Sequence, residues 1–158
     1  EPVLGVELPA GLAGSPDWKA LTEATADMIV WSNDIVSYRK EAGRGDTHNR
    51  VSVVAAAYGI EPLRAAGWVV DHIAQRAGDV QEAARGVGAE LDRLGVGEPG
   101  RRATAAAVRC LVDAPRAHLD WLLESGRYDL GPGTRVPAQP SYPPAADRTS
   151  VSPESVRT

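Results

Sequence analysis

Apolar positions recur along the chain at the three-to-four-residue spacing of helices, and nowhere alternate with the period of two that marks strands. Residues 1–15 are broken by Gly and Pro and read as a connecting loop. Ser15-Pro16-Asp17 is a helix start, with a side chain able to cap, a proline at the first helical position and an early acid. Nothing interrupts a helix from there to Ala42, and Gly43 and Gly45 end it. A loop over residues 44–49 leads to a short apolar helix, Arg50–Tyr58, closed by Gly59. Pro62 opens a third helix, to about residue 94, whose apolar positions Leu63, Ala66, Val70, Ile73 and Ala77 stand three or four apart. Residues 95–100, Gly-Val-Gly-Glu-Pro-Gly, read as a turn. A fourth helix is predicted from about residue 101 to 124, kinked at Pro115 and ended by Gly126. Beyond Leu130 prolines accumulate without apolar periodicity, which predicts a disordered tail over residues 131–158. The class is all-α, with one domain over residues 1–130.

The first long helix carries the informative segment, Trp31-Ser32-Asn33-Asp34-Ile35-Val36-Ser37-Tyr38-Arg39-Lys40-Glu41-Ala42-Gly43-Arg44. With Asn33 as origin and roughly 100° per residue, Ser37 falls near 40° and Glu41 near 80°, each about 6 Å further along the axis. Lys40 falls near −20°, and Arg44 near 20° if the helix extends that far. One narrow face thus presents an amide, a hydroxyl, a carboxylate and two cations. Such oxygens suit Mg²⁺, which keeps few protein ligands and completes its shell with water and phosphate oxygens. The two cations suit those same phosphates. Upstream, Thr22, Ala26, Ile29 and Val30 continue the line as a small, mostly apolar wall. A polar stripe is ordinarily a solvated face. Here Leu21, Met28, Trp31 and Ile35 cover the opposite side, so the stripe faces either water or a cavity.

Composition narrows the alternatives. A net charge of −4 disfavours a general nucleic-acid binder. No apolar run reaches bilayer length, and no signal peptide opens the chain. The single cysteine, Cys110, excludes an internal disulfide framework and a cysteine-rich zinc site, and its helix face predicts burial. A reducing cytoplasm follows as the expected location. Arginine outnumbers lysine, and alanine, glycine and valine abound, as in GC-rich bacterial genomes. The chain opens on Glu1 and reads as if it began mid-domain, so a fragment is expected.

Asn33-Asp34-x-x-Ser37-x-x-x-Glu41 resembles the second metal-binding motif of class I terpene synthases, and Lys40 beside the glutamate is similar to its bacterial form. Arg127-Tyr128, preceded by Trp121-Leu-Leu-Glu-Ser-Gly, resembles the arginine-tyrosine pair that closes the last helix of the bacterial enzymes. The resemblance covers about residues 7–130 and implies the class I terpenoid synthase helical fold, later helices only. Carried over, it makes Asn33, Ser37 and Glu41 ligands of one Mg²⁺. Lys40, Arg44 and Arg127 become diphosphate-binding groups, with Tyr128 beside them. It implies a cyclase acting on a linear isoprenoid diphosphate, the fifteen-carbon farnesyl substrate first, with a homodimer as the protein partner it allows.

The family's earlier aspartate-rich motif and its diphosphate-sensing arginine are absent from these residues, so the chain alone is expected to be inactive. The competing reading is a non-catalytic helical interaction module. His48, His72 and His118 are isolated and read as structural or surface residues. Arg44-Gly45-Asp46 spells an adhesion tripeptide but is better explained as a helix-end loop. Asp34 is read as an orienter of the metal ligands, with a solvated acid as the alternative.

Overall fold

The structure, a computed structural model, describes residues 7–125. The expectations for Gly126, Arg127, Tyr128 and the tail over residues 131–158 lie outside the described residues. Four helices follow a short 3-10 turn at Leu12–Gly14: α1 (Pro16–Ala42), α2 (Arg50–Tyr58), α3 (Pro62–Arg93) and α4 (Glu98–Glu124). Among the described residues there is no strand, and no helix is long and apolar enough to cross a membrane.

The boundaries sit where local chemistry puts them. The Ser15 hydroxyl accepts the Trp18 N–H at 3.2 Å, satisfying one of the orphan donors of α1, and Pro16 forfeits an N–H that had no partner there. The Asn49 side chain does the same for α2, accepting from Val51 N–H at 2.9 Å. Gly59 closes α2 in the left-handed region at φ 59°. The fourth helix begins earlier than expected, at Glu98. Pro99 lacks only an N–H that the first turn would leave unbonded, so the segment read as a turn is partly helical.

α1 is the spine. Its first half packs Leu21 and Ala24 on Val80, Ala83, Val87 and Leu91 of α3, with Leu12 and the α4 residues Val108, Leu111 and Val112 around them. Its second half packs Trp31 on Val51 and Val54 of α2 and on Ala65 and Val69 of α3. The order of these contacts makes α1 and α3 antiparallel. Each fully buried leucine contributes about 1.5–3 kcal/mol, and Leu12 and Leu21 have no exposed surface. Leu12 reaches the core because Gly11 turns the chain at φ 86°, where a Cβ would also stand 3.3 Å from Leu94.

The buried stripe of α3 is Ala65, Val69, Val80, Ala83, Val87 and Leu91; of the apolar positions named from the sequence, Ala66 and Ile73 pack beside it, whereas Leu63 and Val70 are 86% and 51% exposed. The ring of Trp31 packs in one cluster with the small side chains Ala65 and Val69. Cys110 is exposed rather than buried, because α4 turns Ala107, Val108, Leu111 and Val112 inward instead.

Pro115 sits inside α4, which runs on through it to Glu124. Having no N–H, it cannot bond to the carbonyl four residues back, that of Leu111. That carbonyl instead accepts the hydroxyl of Thr25 on α1 at 3.3 Å, and Thr25 and Pro115 are both buried.

Candidate metal centre

Asn33, Ser37 and Glu41 lie on successive turns of α1 as expected. Asn33 and Glu41 are half-buried, and Ser37 has no exposed surface. Lys40 is exposed on the last turn, where a cation also complements the helix C-terminus. Arg44 leaves the stripe. α1 ends at Ala42, residues 43–45 form a turn with Gly45 at φ 76°, and the Asp46 N–H donates back to the Glu41 carbonyl at 3.1 Å. The Arg44 side chain is therefore carried by an exposed turn, not by the helix face. The adhesion tripeptide is that same turn.

The turn delivers a residue that the stripe alone did not reveal. His48 N–H donates to Asp46 Oδ1 at 2.9 Å, a local turn that brings Asn49 against α1. The Asn49 side chain is buried, and its Nδ2 donates to the Asp34 carbonyl at 2.7 Å and to Glu41 Oε2 at 2.9 Å. It also lies 3.5 Å from Ser37 Oγ, at the limit of a hydrogen bond. One amide therefore caps α2 with its oxygen and grips the α1 stripe with its nitrogen. The sequence signal was present in the position of Asn49, an amide directly before an apolar helical run.

Asp34, next to Asn33, is bound to the same corner. Its Oδ2 accepts the Arg50 N–H at 2.9 Å. Burial raises its carboxyl above the ordinary range, partly countered by that N–H, with the nearby Glu41 charge adding to the rise. The half-buried carboxylate thus ties α1 to the start of α2. The Arg50 guanidinium then lies 4.5 Å from the Trp31 ring centre and 5.9 Å from that of Trp68. Its Nε is buried against these rings with no oxygen acceptor. His72 stacks on Trp68 at 3.5 Å and donates through Nδ1 to the Trp68 carbonyl at 2.9 Å, a packing role. His48 is exposed on the turn, and the ring of His118 lies beside Trp121 at 5.8 Å.

The donor set can be tested against a cation. Among the described residues no three His, Cys, Asp or Glu side chains cluster, so a cation here must use mixed oxygens. Amide, hydroxyl and carboxylate oxygens are hard donors. A hydroxyl offers two lone pairs and a carboxylate about four, so the contacts to Asn49 leave both Ser37 and Glu41 with capacity. In chemistry the set suits a small divalent ion, and Ser37, with no exposed surface, is its least accessible member. The cleft between α1 and α3, about 280 Å³ and lined by Asp17, Glu23, Arg76, Asp79 and Glu82, lies along the first half of α1, before the stripe begins. Arg76 is already paired there with Asp27 and Asp79.

A family described as terpene synthase family 2, C-terminal metal binding, matches residues 1–79. The chain is 31% identical over 131 residues to sesquiterpene synthase Agr3 of Cyclocybe aegerita, covering 81% of this chain and 34% of that protein. It is 34% identical over 126 residues to sesquiterpene synthase 1 of Postia placenta, covering 78% and 35%. It is 35% identical over 133 residues to isoafricanol synthase of Streptomyces violaceusniger, covering 82% and 34%. The chain thus spans about a third of the length of these curated relatives. They come from fungi as well as from Streptomyces, so the bacterial source expected from residue usage is matched by only part of the set.

Proposed function

The chain belongs to terpene synthase family 2, C-terminal metal binding, and from that premise we propose that it supplies the second metal site, and part of the diphosphate site, of a terpene cyclase. The observation carrying this reading is the run of hard oxygens, Asn33, Ser37 and Glu41, on successive turns of one helix within the matched residues. These three would hold a Mg²⁺ ion. Bound there, the ion supplies positive charge against the diphosphate of the substrate and favours its departure as a leaving group.

The remaining roles fall to the chain's own side chains. Lys40 from the helix, Arg44 from the exposed turn, and Arg127 bind and orient the diphosphate, and Tyr128 stands beside it. Asp34 keeps the start of α2 against the stripe through its contact with Arg50. Ala26, Ile29 and Val30 offer the isoprenoid chain a small apolar wall that excludes water while cationic carbon is present. The names of the relatives support a fifteen-carbon substrate, farnesyl diphosphate, which is cyclised with loss of diphosphate. The aspartate-rich motif and sensing arginine of the family pattern are not among the 158 residues, so this stretch alone does not turn over substrate. Action in the cytoplasm, as a monomer or homodimer, belongs to the same reading.

The test is Mg²⁺-dependent turnover of farnesyl diphosphate by the full-length protein, with products read by gas chromatography. Wild type is expected to form a cyclic terpene. Asn33→Ala and Glu41→Ala are expected to lose that activity while keeping their helical content. The competing reading, a non-catalytic interaction module, draws on the exposed apolar side chains Leu63, Val70 and Tyr58. Release of no diphosphate from substrates of any chain length, together with binding of a protein partner, would establish it instead.

A further inference from the structure

We propose that Asn49 is a positioning residue that sets the Glu41 carboxylate for the cation, an inference that rests on the metal-site reading of Asn33, Ser37 and Glu41. The orientation of the amide is fixed by what surrounds it. Only its oxygen can accept the Val51 N–H at 2.9 Å, so Oδ1 faces α2 and Nδ2 faces α1. On that side stand three acceptors, the Asp34 carbonyl at 2.7 Å, Glu41 Oε2 at 2.9 Å and Ser37 Oγ at 3.5 Å. Two N–H groups serve the two short contacts, and the long one completes the fit. Asn49 is 3% exposed, so the native contacts are made away from bulk water.

The arrangement has a chemical direction. An amide nitrogen presents the positive end of its dipole, and it engages one carboxylate oxygen of Glu41 while leaving the other for a ligand. Glu41 is the penultimate residue of α1, where no following turn of the helix flanks its side chain. Asn49 supplies a restraint from a different element, and so removes part of the ordering cost of binding a cation. Groups that orient a metal ligand in this way commonly change affinity by about 10–100-fold when removed.

Capping and positioning can be separated. Asn49→Ser keeps an N-cap of similar strength for α2 but is too short to reach Glu41. The measurement is the affinity of the full-length protein for Mn²⁺, followed by electron paramagnetic resonance with inorganic diphosphate present, alongside helical content by circular dichroism. Glu41→Ala marks the contribution of this site. Ser15→Ala removes the cap at the far end of α1 and controls for lost stability. The expected result is that Asn49→Ser weakens Mn²⁺ binding about tenfold, Glu41→Ala at least as much, and Ser15→Ala not at all. Should Asn49→Ser lose helical content, Asn49→Thr, which also caps and fills more of the space, carries the same expectation. Wild-type affinity in the Asn49 variant with weakened binding in Glu41→Ala overturns the positioning role and leaves the site standing. Equal loss in Asn49→Ser and Ser15→Ala overturns it as well, because general stability then explains the effect. Wild-type affinity in Glu41→Ala overturns the site reading itself.

Discussion

Replacing Thr25 with valine removes the hydroxyl that serves the Leu111 carbonyl, and its cost depends on whether Pro115 is present. In the native chain that carbonyl has lost its helical partner to the proline, and Thr25 replaces it at 3.3 Å. The distance is longer than a typical hydroxyl–carbonyl bond, so the contact belongs at the weak end of its class. Leaving a buried acceptor unserved costs about 1–3 kcal/mol, and the long contact places the expectation near 1 kcal/mol. With Pro115→Ala, residue 115 regains an N–H and the Leu111 carbonyl regains its helical bond. In that background Thr25→Val leaves no orphan, because the helical N–H still serves the carbonyl when the hydroxyl is removed. The two substitutions should therefore couple, with Thr25→Val destabilising by roughly 1 kcal/mol beside proline and by nothing, or slightly stabilising, beside alanine. Urea unfolding followed by far-ultraviolet circular dichroism measures all four proteins. Equal costs for Thr25→Val in both backgrounds would refute the account of the proline.

Trp31→Ala should destabilise by about 3–5 kcal/mol, because the ring fills the space between Val51, Val54, Ala65 and Val69 and lies under Arg50. Trp121→Ala, at a half-exposed site, serves as the comparison in the same urea experiment, and a similar loss there would contradict the core assignment. The raised carboxyl of Asp34 means that the folded state holds its proton more tightly than the unfolded chain does. Its contribution is therefore most favourable below the ordinary value of 3.8 and is lost as pH rises through the folded value, so Asp34→Asn should gain on wild type over that window. Thermal melts of both proteins across acid pH check this, and a constant difference would argue against it. Gly11→Ala should cost about 1–2 kcal/mol for its left-handed backbone, whereas Gly78→Ala, in open space on α3, should stabilise by up to about 1 kcal/mol. Melting temperatures moving the same way would contradict the distinction.

Apart from the start of α4, the ends of the helices were legible because single residues set them. Ser15 with Pro16, Asn49 and Gly59 each act through their own backbone or side-chain geometry, which does not depend on distant parts of the chain. The faces were less legible. Leu63 and Val70 stand at helical spacing as Ala65 and Val69 do, and only the packing of α3 against α1 and α2 separates exposed from buried. Cys110 was misplaced for the same reason, since burial is a property of the pair of helices in contact. Within the candidate site, Asn33, Ser37 and Glu41 were legible as positions because one helix carries them all. The departure of Arg44 depends on the helix stopping at Ala42, and the arrival of Asn49 depends on a turn folding back over residues 43–48. Gly43 and Gly45 announced the stop at Ala42, so the departure of Arg44 was within reach of the sequence, whereas the turn that returns Asn49 to α1 was not.

α2 has nine residues, fewer than a helix needs to persist by itself in water. It is held by the burial of Val51 and Val54, by the grip of Asn49 on α1, and by the Arg50 N–H on Asp34. The oxygens of Ser37 and Glu41 are thus in contact with an element whose existence is conditional. Melting of α2 would set Glu41 loose and uncover Ser37 in one event, and anything that binds both oxygens in their folded arrangement would favour the helix by mass action. Occupancy of the stripe and order in a neighbouring helix then form a single linked equilibrium. Resistance of the α2 amides to hydrogen exchange would serve as a gauge of whether the site is filled.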